Sequence, residues 1–389
     1  MINRRTIYSV ILTLLLIFSI HGYHWVPFWN FRGLDFLNLF AFHRNCASWP
    51  IRYGPWGARC GDPLFREMLY PPMAYWAMAW TRLFDFKTAN AIWEIAIPTL
   101  TFLGMMIVSA ADKNPLRRTD WIAGLFFFQM PMVYAIERGN IDALVVPMYA
   151  AAIAFFAKRH WTTAGFFFAA ACWLKVYPVV PVGLLLIALF SDRIAYREYG
   201  WPFLRGFAIG GAILGIVFLP DSYRYIFEVL PRLMADPGGF GTSSHTLYGG
   251  RSGLFLKIPV FVLWTYLTRK MLSRDPVFIL TAGLAISTFF PNLTNDYNLI
   301  TSYPFLFLLL RRLLRARMST MDFAMLILTC WAFVGDRTPL EILLPNRSAL
   351  FLQIVWIIGF PAYLLNRIDK SAWPDGNLPY DEKSIYHRN

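Results

Sequence analysis

Apolar runs of roughly 15–22 residues recur along this chain, and one such run is as long as the hydrocarbon core of a bilayer requires of a helix. Short polar or charged turns separate them. In hydrocarbon every backbone N–H and C=O must be satisfied within the spanning structure, which helices do and open strands do not. No period-two alternation of the barrel kind is visible. The expected fold class is therefore an all-α integral membrane protein. Composition agrees: 57% of residues are hydrophobic and 15% charged, against about 25% charged in a soluble domain.

The net charge of +13 would point to nucleic acid only if the basic residues formed a face. Instead they fall in short clusters: "NRR" (3–5), "KNPLRR" (113–118), "KRH" (158–160), "DRIAYRE" (192–198), "RKMLSR" (269–274), "RRLLRAR" (311–317) and "RIDK" (367–370). The positive-inside rule places these in the cytoplasm. The other loops, 24–69, 137–142, 174–178, 220–252, 291–298 and 336–348, alternate with them and should face outward. One stretch strains the count, because two apolar segments, about 71–84 and about 90–111, lie between an outward loop and a cytoplasmic cluster. The first is short and opens with "YPP", so it is read as a re-entrant or interfacial helix. This gives about 12 transmembrane helices (11–13), with both ends cytoplasmic. The alternative is 13 spans with the middle loops inverted.

Residues 1–367 form a single polytopic domain, and 368–389 a cytoplasmic tail. The opening "MINRRTIYSVILTLLLIFSI" lacks a small-residue cleavage site and reads as an uncleaved first span. Cys46 and Cys60 share one outward loop and could form a disulfide in an oxidising compartment.

Polar residues gather in five outward places. The first loop carries Asp35 within "NFRGLDFLNLFAF", where Phe31, Leu34, Leu37, Phe40 and Ala41 are spaced as on an interfacial helix. It also carries Asp62 and the "LYPP" that holds Tyr70. The second place is "YAIERGNIDALVVP", with Glu137 and Arg138 able to pair, and with Asn140 and Asp142. The third is "WLKVYP", with Lys175 and Tyr177. The fourth is "GFGTSSHTLYGGRSG", with His245, Tyr248 and Arg251. The fifth is "PNLTNDYNL", with Asn295, Asp296 and Tyr297. Each has an ordinary explanation: Asp35 as a solvated loop acid, Lys175 as a snorkelling lysine, Asp296 as a helix cap. Five on one face point further, to a pocket for an anionic, lipid-linked substrate. A carboxylate there can serve as general base, and Lys and Arg can hold phosphate. No nucleotide-binding loop, hydrolase elbow or Cys/His metal set is present.

The order of Asp35, "YPP", "RGNID" and "KVYP" resembles the membrane glycosyltransferases of the GT-C type. It is most similar to the polyprenyl-phosphate-mannose-dependent mannosyltransferases of family GT87, and also resembles GPI mannosyltransferase I. The motifs span roughly residues 30–180, with "SSHTLYG" and "NDYNL" as looser matches. The resemblance implies an inverting transfer of a sugar, mannose by family, from a polyprenyl-phosphate donor to a glycan or lipid-linked acceptor. The active site would face the periplasm, exterior or lumen from a plasma or inner membrane. The first-loop acid maps onto Asp35 as catalytic base, the "GN-x-D" region onto Gly139, Asn140 and Asp142, and the lysine before "YP" onto Lys175. Arg138, Tyr177, His245 and Arg251 join as donor or phosphate candidates. Asp62, Tyr70, Tyr248, Asn295, Asp296 and Tyr297 are further cavity candidates. GPI-type enzymes carry D-x-D, but Gly33 and Leu37 flank Asp35 here, so no metal or other cofactor is expected. Expected partners are the lipid-linked donor, the acceptor and membrane lipid, not nucleic acid. The competing reading is a polytopic transporter or flippase for lipid or lipid-linked sugar, against which stand the lack of paired halves and the one-sided charges.

Overall fold

The computed structural model describes residues 34–46, 70–112, 130–191, 195–231, 250–288, 290, 300–315, 319–334 and 348–369. The first span, Cys60 and the tail beyond 369 lie outside them, as does the side chain of Cys46. Among the described residues all regular structure is helical. In chain order the helices are α1 (Leu34–Ala41), α2 (Pro72–Ala77), α3 (Phe86–Ala111), α4 (Met130–Arg138), α5 (Asp142–Ala157), α6 (Trp161–Leu174) and α7 (Val179–Phe190). There follow α8 (Trp201–Val217), the single turn α9 (Asp221–Arg224), α10 (Gly250–Leu272), α11 (Pro276–Ser287), α12 (Tyr303–Arg315), α13 (Thr320–Val334) and α14 (Ser348–Asp369).

Local chemistry sets several boundaries. Asp85 caps α3 by accepting from Thr88 N at 2.9 Å. Asp275 does the same for α11 from Phe278 N at 3.2 Å, and Pro276 stands in the first turn, where its missing N–H costs nothing. Ser319 and Asp322 cap each other's backbone at the start of α13.

The 71–84 segment is two short pieces, α2 and a tight turn over Ala79–Leu83. Together they extend about 20 Å, short of the ~30 Å hydrocarbon core. The chain then enters α3 directly, and the Phe36 ring of α1 lies 6.3 Å from Trp80 and 6.0 Å from Phe86; the re-entrant or interfacial reading stays an expectation. In α1 the wholly buried apolar side chains are Phe36 and Leu39, with Phe42 just beyond, while Leu37 and Phe40 are half-buried. Of the stripe read from Phe31, Leu34, Leu37, Phe40 and Ala41, Ala41 is buried and Phe40 packs 5.3 Å from the Phe86 ring, while the side chains of Phe31 and Leu34 lie outside the described residues. The helix rests on protein: the Phe36 ring lies 6.0 Å from Phe86 and 6.4 Å from Trp93 of α3.

The closest helix pair is α6 with α8. A Cβ on Gly206 would stand 1.9 Å from the Thr162 carbonyl oxygen, and one on Gly165 2.1 Å from that of Phe203. Small residues let two backbones approach this closely, the usual means of helix association in lipid. Farther along, Tyr149 of α5 donates to Leu280 O of α11 at 3.0 Å, and Trp264 of α10 to Ile357 O of α14 at 3.0 Å.

Among the described residues several helices expose apolar stripes. Ile209, Ile213 and Ile216 form an exposed stripe on α8, Ile258 and Val262 another on α10, and Ile92, Ile95, Phe102 and Leu103 a third on α3. Stripes this apolar belong against acyl chains rather than water. Phe86–Ala111 and Tyr196–Val217 are long and apolar enough to cross a bilayer alone. Helices α5, α6, α7 and α11 are also apolar but have 12–16 residues, about 18–24 Å. The count of about 12 spans stays an expectation.

Helix α3 fixes the two ends of the bundle. Trp93 near its start meets the turn between α4 and α5, through Nε1 to Gly139 O at 3.0 Å. Asp112 at its far end, about 39 Å along a helix of this length, meets Arg312 of α12 at 2.9 Å and Arg311 at 3.5 Å. Arg312 also grips Asp275, in the turn between α10 and α11, with both terminal nitrogens. Three of the basic clusters therefore adjoin one end of the bundle, opposite the "RGNID" turn.

Candidate functional site

The site is built on the turn "RGNID". Helix α4 stops because Gly139 takes φ 70°, a left-handed conformation that glycine adopts without steric cost. Asn140 N then bonds to Ala135 O at 3.1 Å and Gly139 N to Ile136 O at 3.1 Å, the paired bonds of a Schellman stop. Trp93 holds the Gly139 carbonyl. The Asn140 side chain starts the next helix, its Oδ1 accepting from Asp142 N at 2.7 Å. Glycine and asparagine thus each have a backbone reason to be where they are.

Asp35 comes to this turn from more than a hundred residues upstream. It is buried in the first turn of α1, with 6% of its surface exposed. Arg138 Nη2 donates to its Oδ1 at 3.1 Å, and Asn140 Nδ2 to its Oδ2 at a longer 3.4 Å. Asp35 and the turn therefore share one end of the bundle. Arg138, read from the sequence as a partner for Glu137 and a phosphate ligand, has its guanidinium on Asp35. The reason is electrostatic: a carboxylate removed from water is strongly destabilised without a cation beside it. The Glu137 side chain lies outside the described residues.

Lys175 is the residue at which α6 ends and the backbone becomes extended. Its ammonium does not run out along the lipid boundary. It lies 3.3 Å from Asp142 Oδ1 and 4.8 Å from the centre of the Tyr70 ring, a cation–π distance. Asp142 is completely buried, and the Tyr177 hydroxyl lies beside both Asp142 and Thr301. Tyr70 in turn packs edge-on to Tyr75 of α2, ring centres 6.0 Å apart. His43, just past α1, donates from Nε2 to Tyr75 O at 2.5 Å. Burial holds the His43 imidazole below its ordinary value of 6.5, outweighing the opposing pull of the Tyr75 carbonyl, and Arg82 adds to the lowering.

The structure thus brings together Asp35, Tyr70, Arg138, Asn140, Asp142, Lys175 and Tyr177. Asp62, His245, Tyr248, Asn295, Asp296 and Tyr297 lie outside the described residues, as does the side chain of Arg251 at the start of α10. Sequence reading missed three participants. Thr301 lies two residues past the "NDYNL" motif. His43 continues the spacing of Phe36 and Leu39, so a histidine on an apolar face was a usable signal. Trp93 gave none, because its partner is a backbone carbonyl in a turn distant in sequence.

Chemically, the cluster pairs two carboxylates with two cations in a nearly dry setting. One carboxylate, Asp35, is oriented by two donors. One cation, Lys175, is set against an aromatic face. Among the described residues no three His, Cys, Asp or Glu side chains gather as a metal site. A search of curated proteins finds no match. The family model for glycosyltransferase family 87 matches residues 68–310, more than half of the chain. The matched stretch takes in Tyr70, the "RGNID" turn, Lys175 and Thr301, and begins after Asp35.

Proposed function

This chain belongs to glycosyltransferase family 87, and from that premise we propose that it moves mannose from a polyprenyl-phosphate carrier to a hydroxyl of a glycan or lipid-linked acceptor, with inversion, at the Asp35 end of the bundle. That it is a membrane glycosyltransferase follows from the family and the apolar helices. Membership of a transferase family sets the transporter reading aside.

In the reaction the acceptor oxygen bonds to the anomeric carbon from the face opposite the phosphate. The bond from that carbon to the phosphate oxygen breaks, and polyprenyl phosphate leaves with the electron pair. Asp35 takes the acceptor's proton. Lys175 offsets charge on the departing phosphate, a preorganised electrostatic role of the kind that dominates such transfers. Arg138 and Asn140 keep the Asp35 carboxylate in place. Tyr70 and Tyr177 flank the cation and its carboxylate. His245 and Arg251 are proposed to add donors to the phosphate, with Asp62, Tyr248, Asn295, Asp296 and Tyr297 around the acceptor path. The lipid tail of the donor suits a site among helices whose outer faces are apolar. The active end faces the periplasm, exterior or lumen of a plasma or inner membrane, because the opposite end adjoins the basic clusters.

The observation that carries this reading is the meeting of Asp35 with Asn140, and through it Asp142 and Lys175, from three stretches far apart in sequence. The test is transfer by the purified chain in liposomes, offered synthetic polyprenyl-phosphate mannose beside a nucleotide mannose, with radiolabelled sugar recovered in the acceptor pool. Label arriving only from the lipid donor supports the proposal. Label arriving from the nucleotide donor contradicts it.

A further inference from the structure

We propose that Asn140 is a positioning residue that orients the Asp35 carboxylate and ties it to the Lys175 side of the site, rather than a ligand of the sugar donor. This rests on the assignment of Asp35 as general base.

Asn140 is wholly buried, and both ends of its amide are committed. Oδ1 accepts from Asp142 N at 2.7 Å, and Nδ2 donates to Asp35 Oδ2 at 3.4 Å. The first bond settles which end is oxygen, since only that atom can accept from a backbone N–H. The backbone beneath it is fixed as well, by Gly139 at φ 70° and by the Trp93 bond to the Gly139 carbonyl. An amide pinned at one end to a fixed turn presents its other end as a fixed donor.

The carboxylate it meets has a broad terminal torsion that one donor would leave free to turn. Here Arg138 holds Oδ1 and Asn140 holds Oδ2, so the carboxylate plane is set by two bodies. The same asparagine, through Asp142 N, fixes the start of α5, and Asp142 holds Lys175. One side chain therefore sets the base against the cation that faces the leaving group. The bond to Asp35 is longer than ideal, and bonds of this kind tighten once substrate is bound.

The decisive variant is Asn140→Ser, measured in liposomes with synthetic polyprenyl-phosphate mannose as donor. A serine hydroxyl can still accept from Asp142 N as a cap does, but it is too short to reach Asp35. We expect an unchanged thermal midpoint, a donor KM within about threefold, and kcat lower by about 10–100-fold, the scale of losing an oriented proton acceptor. A merely structural role would act through a lowered thermal midpoint, not through a kcat loss at constant donor KM in a chain of unchanged midpoint. If serine lowers the thermal midpoint, the isosteric Asn140→Asp replaces it. That variant keeps the cap and removes the donor, so kcat should again fall at a donor KM within about threefold. A donor KM raised about tenfold (about 1.4 kcal/mol) at constant kcat makes Asn140 a donor ligand and overturns the proposal. Wild-type kcat reduces it to a helix cap and overturns it equally. Asp35→Asn, run in parallel, separates the two failures: retained turnover there means the base assignment itself is wrong.

Discussion

Lys175 and Asp142 show what a buried pair demands of its members. Asp142 is fully buried and Lys175 keeps a little exposure, so removing the lysine strands a desolvated carboxylate. Lys175→Ala should cost about 2–3 kcal/mol, somewhat below the ~3–5 of a wholly buried pair. The double variant with Asp142→Ala should recover most of it, as read from denaturation midpoints in detergent. A single-variant loss that the double variant fails to recover would show that the pair is not coupled. His43 gives a pH prediction. Its folded value lies below the unfolded 6.5 because burial disfavours the imidazolium. The unfolded chain therefore binds the extra proton first as pH falls. The stability tied to neutral His43 is complete above about pH 6.5, is lost progressively below it, and levels off beneath the folded value. His43→Gln should flatten that part of the stability-pH curve, and an unaltered slope would remove His43 as its source. At this scale the sequence announced residue types better than partners. Lys175 read equally well as a snorkelling side chain, because its two partners, Tyr70 just before α2 and Asp142 at the start of α5, come from other stretches of the chain and nothing local in "WLKVYP" encodes them.

Helix pairs carry the next set of consequences. The contact of α6 with α8 depends on the absence of a side chain at Gly206, where a Cβ would meet the Thr162 carbonyl at 1.9 Å, whereas Gly211 on the same helix has nothing within 4 Å. Gly206→Ala must push two backbones apart and should cost about 1–3 kcal/mol. Gly211→Ala should be neutral, or stabilising by up to about 1 kcal/mol. Thermal unfolding of the two in detergent distinguishes them, and equal midpoints would contradict the packing described. Much at this level was legible. The start of α3 near 90, the turn at "RGNID" and the end of α6 before Lys175 follow from apolar run length and from the punctuation of Gly, Asn and Pro. The brevity of 71–84 was legible too, from its length and "YPP". Less legible was the packing around α1: an amphipathic stripe assumes one wet side, whereas Phe36, outside the stripe, packs on Phe86 and Trp93, and Phe40, within it, packs on Phe86 as well.

The whole molecule has two chemically distinct ends. At one, Arg312 joins Asp112 to Asp275 beside the basic clusters. At the other, Asp35, Arg138, Asn140, Asp142 and Lys175 form a compact set of ion pairs and hydrogen bonds. Alternation of basic and neutral loops was enough to anticipate this polarity, because basic clusters and neutral turns follow one another at opposite ends of successive long apolar runs. The number of full crossings was less accessible, since α5, α6, α7 and α11 are apolar yet short, and hydropathy alone does not measure how a bundle accommodates them. The family assignment makes the chain a glycosyltransferase. The structure adds a specific arrangement, the first-loop acid Asp35 held by two donors, and the proposal is that this acid takes the acceptor's proton. The measurement closest to that claim is single-turnover transfer from synthetic polyprenyl-phosphate mannose by Asp35→Asn in liposomes, with donor binding followed in the same samples. The account predicts donor binding within about threefold of wild type and transfer reduced by at least about 100-fold, the loss expected of a missing general base. Transfer near the wild-type rate would contradict it.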